Sequence, residues 1–184
     1  MKPDIVNVRV WKQEDLEKVR SILWDTWMAT YSSFIPESDL RSYFDAHYSL
    51  QTLHEMLANG DIYGIVAEVA VNVAGCMRCT HARDERRFYV NSVYVLPGYQ
   101  RLGVGTRLMD EAGRQALACG CDAIWLGVMK QNAAAHEWYK RIGFTFVEEA
   151  PFVMGATTVS HVIGFKPIAG GEVQDSLLSR SHKE

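Results

Sequence analysis

One segment limits what this chain can fold into more than any other: Leu96-Pro97-Gly98-Tyr99-Gln100-Arg101-Leu102-Gly103-Val104-Gly105-Thr106. Before it, Phe88 to Leu96 is rich in aromatic and β-branched residues and reads as a strand, stopped by Pro97-Gly98. After it, Val104 to Cys119 sets Val104, Leu108, Met109, Ala112, Ala116 and Leu117 at helical spacing, which predicts a helix with those residues on its buried side. A turn that runs from a strand into a helix leaves several backbone N–H groups unpaired at the helix start. A pyrophosphate placed there gains those donors and the positive end of the helix dipole together. Glycine at 103 and 105 lets the backbone come close without a Cβ in the way, and Arg101 adds a charged contact from the rim. The turn is not a P-loop, because no Lys-Ser/Thr follows the glycines. A Rossmann site is excluded as well: the third glycine is missing, and the chain does not open with the required strand.

The remaining elements follow from periodicity. Ile5 to Trp11 alternates like a half-buried strand. Gln13 to Tyr31 is helical in spacing, with Leu16, Val19, Ile22 or Leu23, Trp27 and Tyr31 near one face and Glu14, Asp15 and Glu17 in the first turn. A second, broken helical stretch runs from about Pro36 to Ala58 and ends at Asn59-Gly60. Strands are expected at Ile62 to Val69 and Val71 to Thr80, a polar loop at His81 to Arg87, and a strand at Ala123 to Met129. A short helix follows from Asn132 to Ile142, capped by Asn132 and closed by Gly143 in left-handed geometry. Phe144 to Val147 and Thr158 to Phe165 form a closing pair of strands, and beyond Pro167 the chain becomes a polar tail expected to be disordered. The order β, α, α, β, β, β, α, β, α, β, β predicts a mixed α/β (α+β) domain over residues 4–167, with helices packed on one sheet.

Composition narrows the function. A formal net charge of −3 over 184 residues offers no basic surplus to neutralise phosphates, which argues against a nucleic-acid partner. The longest apolar runs are too short to span a membrane, and the first residues lack a secretory leader, so a cytoplasmic protein with no membrane association is expected. Cys76 and Cys79 fall in a strand, where residues three apart face opposite ways, and Cys119 and Cys121 lie at a helix end. No metal site is expected from them; they read as reduced thiols.

The segment from Tyr94 to Gly105 resembles the coenzyme A-binding signature of the GNAT superfamily of N-acetyltransferases, Gln/Arg-x-x-Gly-x-Gly/Ala. A second stretch is similar to the family too: Trp125-Leu126-Gly127-Val128, Asn132-Ala133-Ala134-Ala135, then Trp138-Tyr139-Lys140-Arg141-Ile142-Gly143-Phe144. The resemblance covers roughly residues 4 to 167. It implies the GNAT fold, a mixed, mostly antiparallel sheet of about six or seven strands splayed in the middle, with about four helices on both faces. It also implies acetyl-CoA as cosubstrate and a homodimer.

Carried over residue by residue, the resemblance places the backbone of Val93, Tyr94 and Val95 on the pantetheine arm. Gln100, Arg101, Leu102, Gly103, Val104, Gly105 and Thr106 would hold the pyrophosphate, with Asn132 against the arm near the second strand. Tyr139 matches the general acid, and a phenol with a pKa of ~10 is a reasonable donor to a departing thiolate. Asn132 and Tyr139 are about two helical turns apart, so both can face one cleft. The family's strand carboxylate is missing: Phe88-Tyr89-Val90-Asn91-Ser92-Val93 contains none. Asn91 or Ser92 would hold at most a water chain, leaving Glu68, His81, Asp84 and Glu85 as unranked candidates for the base. His136 reads as a solvated helix residue.

The acceptor is expected to be a small primary amine. Trp24, Trp27 and Tyr31, with Trp125 and Phe152, look similar to PaiA-type spermidine/spermine acetyltransferases, where aromatic faces with a carboxylate would suit a polyammonium chain. Packing of Trp24 and Trp27 against the sheet is the alternative. So are a protein N-acetyltransferase of the ribosomal-protein type and a coenzyme A-binding regulatory module with degenerate catalysis.

Overall fold

The computed structural model describes residues 6–168. Most of the polar tail lies outside that range. The elements are β1 (Val6–Val10), α1 (Leu16–Tyr31), α2 (Glu37–His47), α3 (Leu50–Ala58), β2 (Ile62–Val69), β3 (Asn72–Ala82), β4 (Arg87–Val95), α4 (Val104–Ala118), β5 (Ala123–Met129), α5 (Ala133–Arg141), β6 (Thr145–Met154) and β7 (Thr157–Pro167). Seven strands form one sheet in the order β1-β2-β3-β4-β5-β7-β6. Every neighbouring pair is antiparallel except β4 and β5, which are parallel.

The expected mixed sheet with helices on both faces is what forms. Val104, Leu108, Met109, Ala112 and Ala116 of α4 and Tyr139 of α5 pack on one face with Ile65, Met77, Phe88 and Val90. Leu16, Val19, Ile22, Leu23, Trp27 and Tyr31 of α1 cover the other, joined by Leu40 and Phe44 of α2 and Leu53 of α3. Cys76 belongs to the second cluster and Cys79 to the first, as alternation across a strand requires. All four cysteines are free thiols.

Several details differ from the sequence reading. The stretch 36–58 is two helices, making five among the described residues. Tyr48 is buried at the break, and the Ser49 side chain caps α3 by accepting from the Thr52 amide at 3.1 Å. Leu117 is 50% exposed rather than buried, because it falls just outside the apolar stripe of α4. The loop expected at 81–87 shrinks to residues 83–86, since His81 and Ala82 pair with Phe88 and Arg87. Strand β6 runs on to Met154 instead of ending at Val147. Glu148, Glu149 and Pro151, together with a register shift between Phe146 and Glu148, obscure its period. Those features are what an edge strand uses to resist further pairing.

Two tethers shape the walls of the future site. Arg9 bridges β1 to the start of α1 and to β2, donating to Asp15 at 2.6 and 2.9 Å and to Glu68 at 2.6 and 2.9 Å. That charge-assisted bonding holds the carboxyls of Asp15 and Glu68 below their ordinary range. At the β6–β7 turn the Thr157 hydroxyl donates to Asp39 of α2 at 2.6 Å. A Cβ on Gly155, whose φ is +63°, would come within 2.8 Å of the Asp39 backbone. The hairpin is thereby pinned against α2.

Candidate functional site

The site begins with a failure of strand pairing. Strands β4 and β5 share three residue pairs, Phe88 with Ile124, Tyr89 with Trp125 and Val90 with Leu126, and then separate. The cause lies one strand over. In the β3–β4 ladder Arg78 pairs with Ser92 and Cys79 with Val90, so Asn91 has no opposite residue and forms a bulge. A bulge bends its strand and re-aims the side chains beyond it. Phe88 and Val90 face α4 below the bulge, and Val93 and Val95 do so above it. Tyr94 turns to the α1 side. Because β4 stays paired to β3 as far as Val95, and β5 to β7 as far as Met129, the two strands present free backbone edges to each other across a gap. The gap opens into a cleft of about 920 Å³.

At the α4 end of this cleft the chain turns back on itself. Arg101 and Gly103 adopt left-handed backbone, with φ of +66° and +81°. The first helical hydrogen bond of α4 runs from the Arg107 amide to the Gly103 carbonyl at 3.0 Å. Among the described residues, the amides of 101–106 find no acceptor. A Cβ at Gly103 would meet nothing within 4 Å, so the space before the helix start is open. Gly105 serves differently from expectation. Its Cβ would sit 3.0 Å from the Trp138 ring, so this glycine lets α5 close onto α4. Gln100, Arg101, Gly103, Val104, Gly105 and Thr106 all line the cleft, whereas Leu102 points away and is 52% exposed.

Val93, Tyr94, Val95, Asn132 and Tyr139 line its middle. The Asn132 side chain caps α5, accepting from the Ala135 amide at 3.2 Å, which leaves its NH₂ free for other partners. Tyr139 is buried, wedged against Trp138 and Phe144 with ring centroids 4.9 and 5.4 Å away. Burial pushes its phenol well above the ordinary value, and the nearby Tyr31 phenol adds to the shift. The Tyr31 and Tyr94 hydroxyls lie 3.4 Å apart, so three phenols gather where the strands diverge.

The far end of the cleft lies between α1–α3 and the β6–β7 hairpin. Trp27, Tyr31, Tyr43, Tyr48, Phe152 and Met154 line it. Trp24 does not: it is held between Arg41, 4.3 Å from its ring, and Phe44, 5.1 Å away. Of the base candidates read from the sequence, none lines the cleft, although Asn91 and Ser92 do. Glu68 is engaged by Arg9, and Glu85 accepts from the Tyr89 hydroxyl. His136 is not solvated but half-buried against Phe146, its ring 4.7 Å distant and its Nε2 buried without a partner.

Two residues of the far end were not foreseen. His161 of β7 reaches over Gly127 of β5, where an added Cβ would lie 2.0 Å from its Cε1. Desolvation lowers its pKa, keeping the imidazole neutral. Its sequence neighbourhood, Val159-Ser160-His161-Val162, reads as ordinary strand, and only Gly127, diagonally across on β5, could have flagged it. Arg78 of β3 also lines the cleft. Among the described residues, no aspartate or glutamate does.

Comparison with known proteins agrees with this architecture. Residues 16–144 match the acetyltransferase (GNAT) family, and the chain belongs to it. N-alpha-acetyltransferase 50 of Danio rerio is 28% identical over 108 residues, covering 57% of this chain and 64% of that protein, a little under two thirds of its length. An uncharacterized N-acetyltransferase of Mycobacterium tuberculosis is 24% identical over 142 residues, 77% of this chain and 90% of that one. The crystal structure of PaiA N-acetyltransferase from Thermoplasma acidophilum in complex with coenzyme A superposes with a TM-score of 0.77. It covers 89% of this chain and 99% of that one at 21% identity, a likeness of fold.

Proposed function

We propose that this GNAT-family chain transfers an acetyl group from acetyl-CoA to the primary amine of a small molecule, with Tyr139 as acid and His161 as base. The observation that carries the reading is the coincidence of two sets of unused backbone groups in one cleft. The free edges of β4 and β5 suit an extended amide-bearing arm, and the unpaired amides of 101–106 suit a diphosphate. The arm of coenzyme A contains both chemistries in that order. When bound, the coenzyme supplies a thioester-activated acetyl group and a thiol leaving group.

The residues of the chain divide the remaining work. Val93 to Val95 would orient the arm through β4's free edge. Gly103's open left-handed turn would let the diphosphate reach the helix start, with Arg101 and Arg141 at the rim. Deprotonating a free primary ammonium of pKa ~10.4 at neutral pH costs roughly 4–5 kcal/mol. His161, neutral through burial, has a lone pair to take the amine's proton as nitrogen bonds to the acyl carbon. Tyr139 stays protonated and donates to the leaving sulfur. Its raised pKa does not defeat this, because burial raises thiols as well: the Cys79 thiol, in the same core cluster, is pushed well above its ordinary value.

The polyamine acceptor loses its support at the cleft wall. Trp27 and Tyr31 would give aromatic faces, but Trp24 is elsewhere and no carboxylate of the described residues lines the cavity. A peptide α-amine is the second reading, favoured by the relative named N-alpha-acetyltransferase 50. Calorimetry with acetyl-CoA, followed by thiol release across polyamines, amino acids, aminoglycosides and peptides, tests the proposal. Micromolar binding with release on a small amine is expected. Tight binding with no release on any amine would point to a regulatory module, and no binding would end the reading.

A further inference from the structure

Arginine is always charged, and leaving it out of water without a counter-charge is costly. Six arginines avoid this: Arg9, Arg20, Arg41, Arg83, Arg87 and Arg114 each have a carboxylate within 4 Å. Arg78 is half-buried in the cleft and has none among the described residues. Its Nη1 lies 3.5 Å from the Met56 sulfur, and its Nη2 3.5 Å from the Tyr48 hydroxyl, both at the outer limit of a hydrogen bond. Its Nε is buried with no partner at all. The guanidinium rests 5.4 Å from the Tyr48 ring, which tolerates a cation but does not neutralise it.

Its place in the fold separates it from the coenzyme's phosphates. Arg78 pairs with Ser92, one residue beyond the bulge, and reaches α3 and the α2–α3 junction. That is the face opposite α4, whose open N-terminus lies across the sheet. The phenols near it there, Tyr43 and Tyr48, are neutral. An unpaired guanidinium beside two phenols, in a cavity that no carboxylate of the described residues lines, is a site awaiting an anion. A planar fork of N–H donors fits a carboxylate best.

Building on the transferase reading above, we propose that the acceptor is an amine that also carries a carboxylate, of the amino-acid class, and that Arg78 holds that carboxylate while the amine faces the thioester. A bare polycation would meet uncompensated positive charge there, so Arg78 selects against polyamines as well as for amino acids.

The test compares amino acids with their methyl esters and with the matching decarboxylated amines, in wild type, Arg78→Gln and Arg78→Lys. Two readouts are used: thiol release, and quenching of tryptophan fluorescence on titrating each compound into the protein–CoA complex. Wild type is expected to favour the free acid over the ester in KM and in binding. Arg78→Gln should cut that preference by about tenfold to hundredfold, the value of a charged hydrogen-bonded contact, with Arg78→Lys in between. Arg41→Gln, outside the cleft, is the control and should keep it. Equal use of acid and ester by wild type, or an unchanged preference in Arg78→Gln, overturns the inference while leaving the transferase intact. Weakened acetyl-CoA binding in Arg78→Gln, with acceptor preference kept, overturns it too. Carboxylate binding that depends on Arg78 without any thiol release would instead support the anion site and refute the transferase.

Discussion

Replacing Gly127 with alanine should disable the enzyme while sparing the fold. The new Cβ would stand 2.0 Å from His161 Cε1, 2.5 Å from Nε2 and 2.8 Å from Nδ1, whereas carbon atoms pack at about 3.5–4.0 Å. The ring must therefore retreat by about 1.5 Å or more. Gly127 needs no left-handed backbone, and the obstacle is the end of a side chain rather than main chain, so the cost in stability should be an ordinary overpacking penalty of about 1–3 kcal/mol. The catalytic cost should be larger in effect. A misplacement of about 1 Å in a reacting group loses on the order of a hundredfold, and a general base contributes roughly 10²–10⁴-fold in all. We expect kcat to fall about a hundredfold in a thiol-release assay, with acetyl-CoA affinity near wild type. The double mutant sharpens this: in a His161→Ala background, Gly127→Ala should cost almost nothing more, because the group it displaces is already gone. Wild-type kcat in Gly127→Ala, or full additivity of the two losses, would refute His161 as base.

Tyr139→Phe should lower kcat by at least about tenfold with little change in acetyl-CoA affinity, measured by thiol release and calorimetry; unchanged turnover would remove the phenol from the reaction. Gly103→Val should abolish coenzyme binding in a protein that still folds, as checked by circular dichroism. Its φ of +81° strains a branched residue by about 1–2 kcal/mol, and the side chain enters the open space before the helix. The pH profile of kcat/KM should show an acid limb below about 6.5, because His161's lowered pKa keeps it neutral until the pH falls beneath the ordinary histidine value. His161→Gln should lose that limb; a limb that persists there belongs to another group.

How much of this was legible depends on range. The turn at 97–106 could be read locally, because Pro97, Gly98, Gly103 and the apolar period beginning at Val104 mark a strand end and a helix start within ten residues of each other. The helix α1 was equally plain, since Leu16, Val19, Ile22, Leu23, Trp27 and Tyr31 are the residues it buries. Positions that depend on partners distant in the chain were not. Trp24 looks no different from Trp27 until α2 arrives with Arg41 and Phe44 to occupy it. Glu68 looked like a candidate base because nothing nearby in sequence announces Arg9. His161 and Gly127 form one feature from strands 34 positions apart, and neither half is informative alone. Arg78 is the extreme case. Its significance is the lack of a counter-charge, which only the assembled cleft reveals.

Amide hydrogen exchange with and without acetyl-CoA asks most directly whether the gap between β4 and β5 takes the coenzyme. Added acetyl-CoA should slow exchange at residues 91–95 on the free edge of β4 and at 101–106 around the start of α4, leaving the Arg9–Asp15 corner unchanged. Unaltered exchange in both segments at saturating ligand, or protection confined to some other surface, would contradict the account.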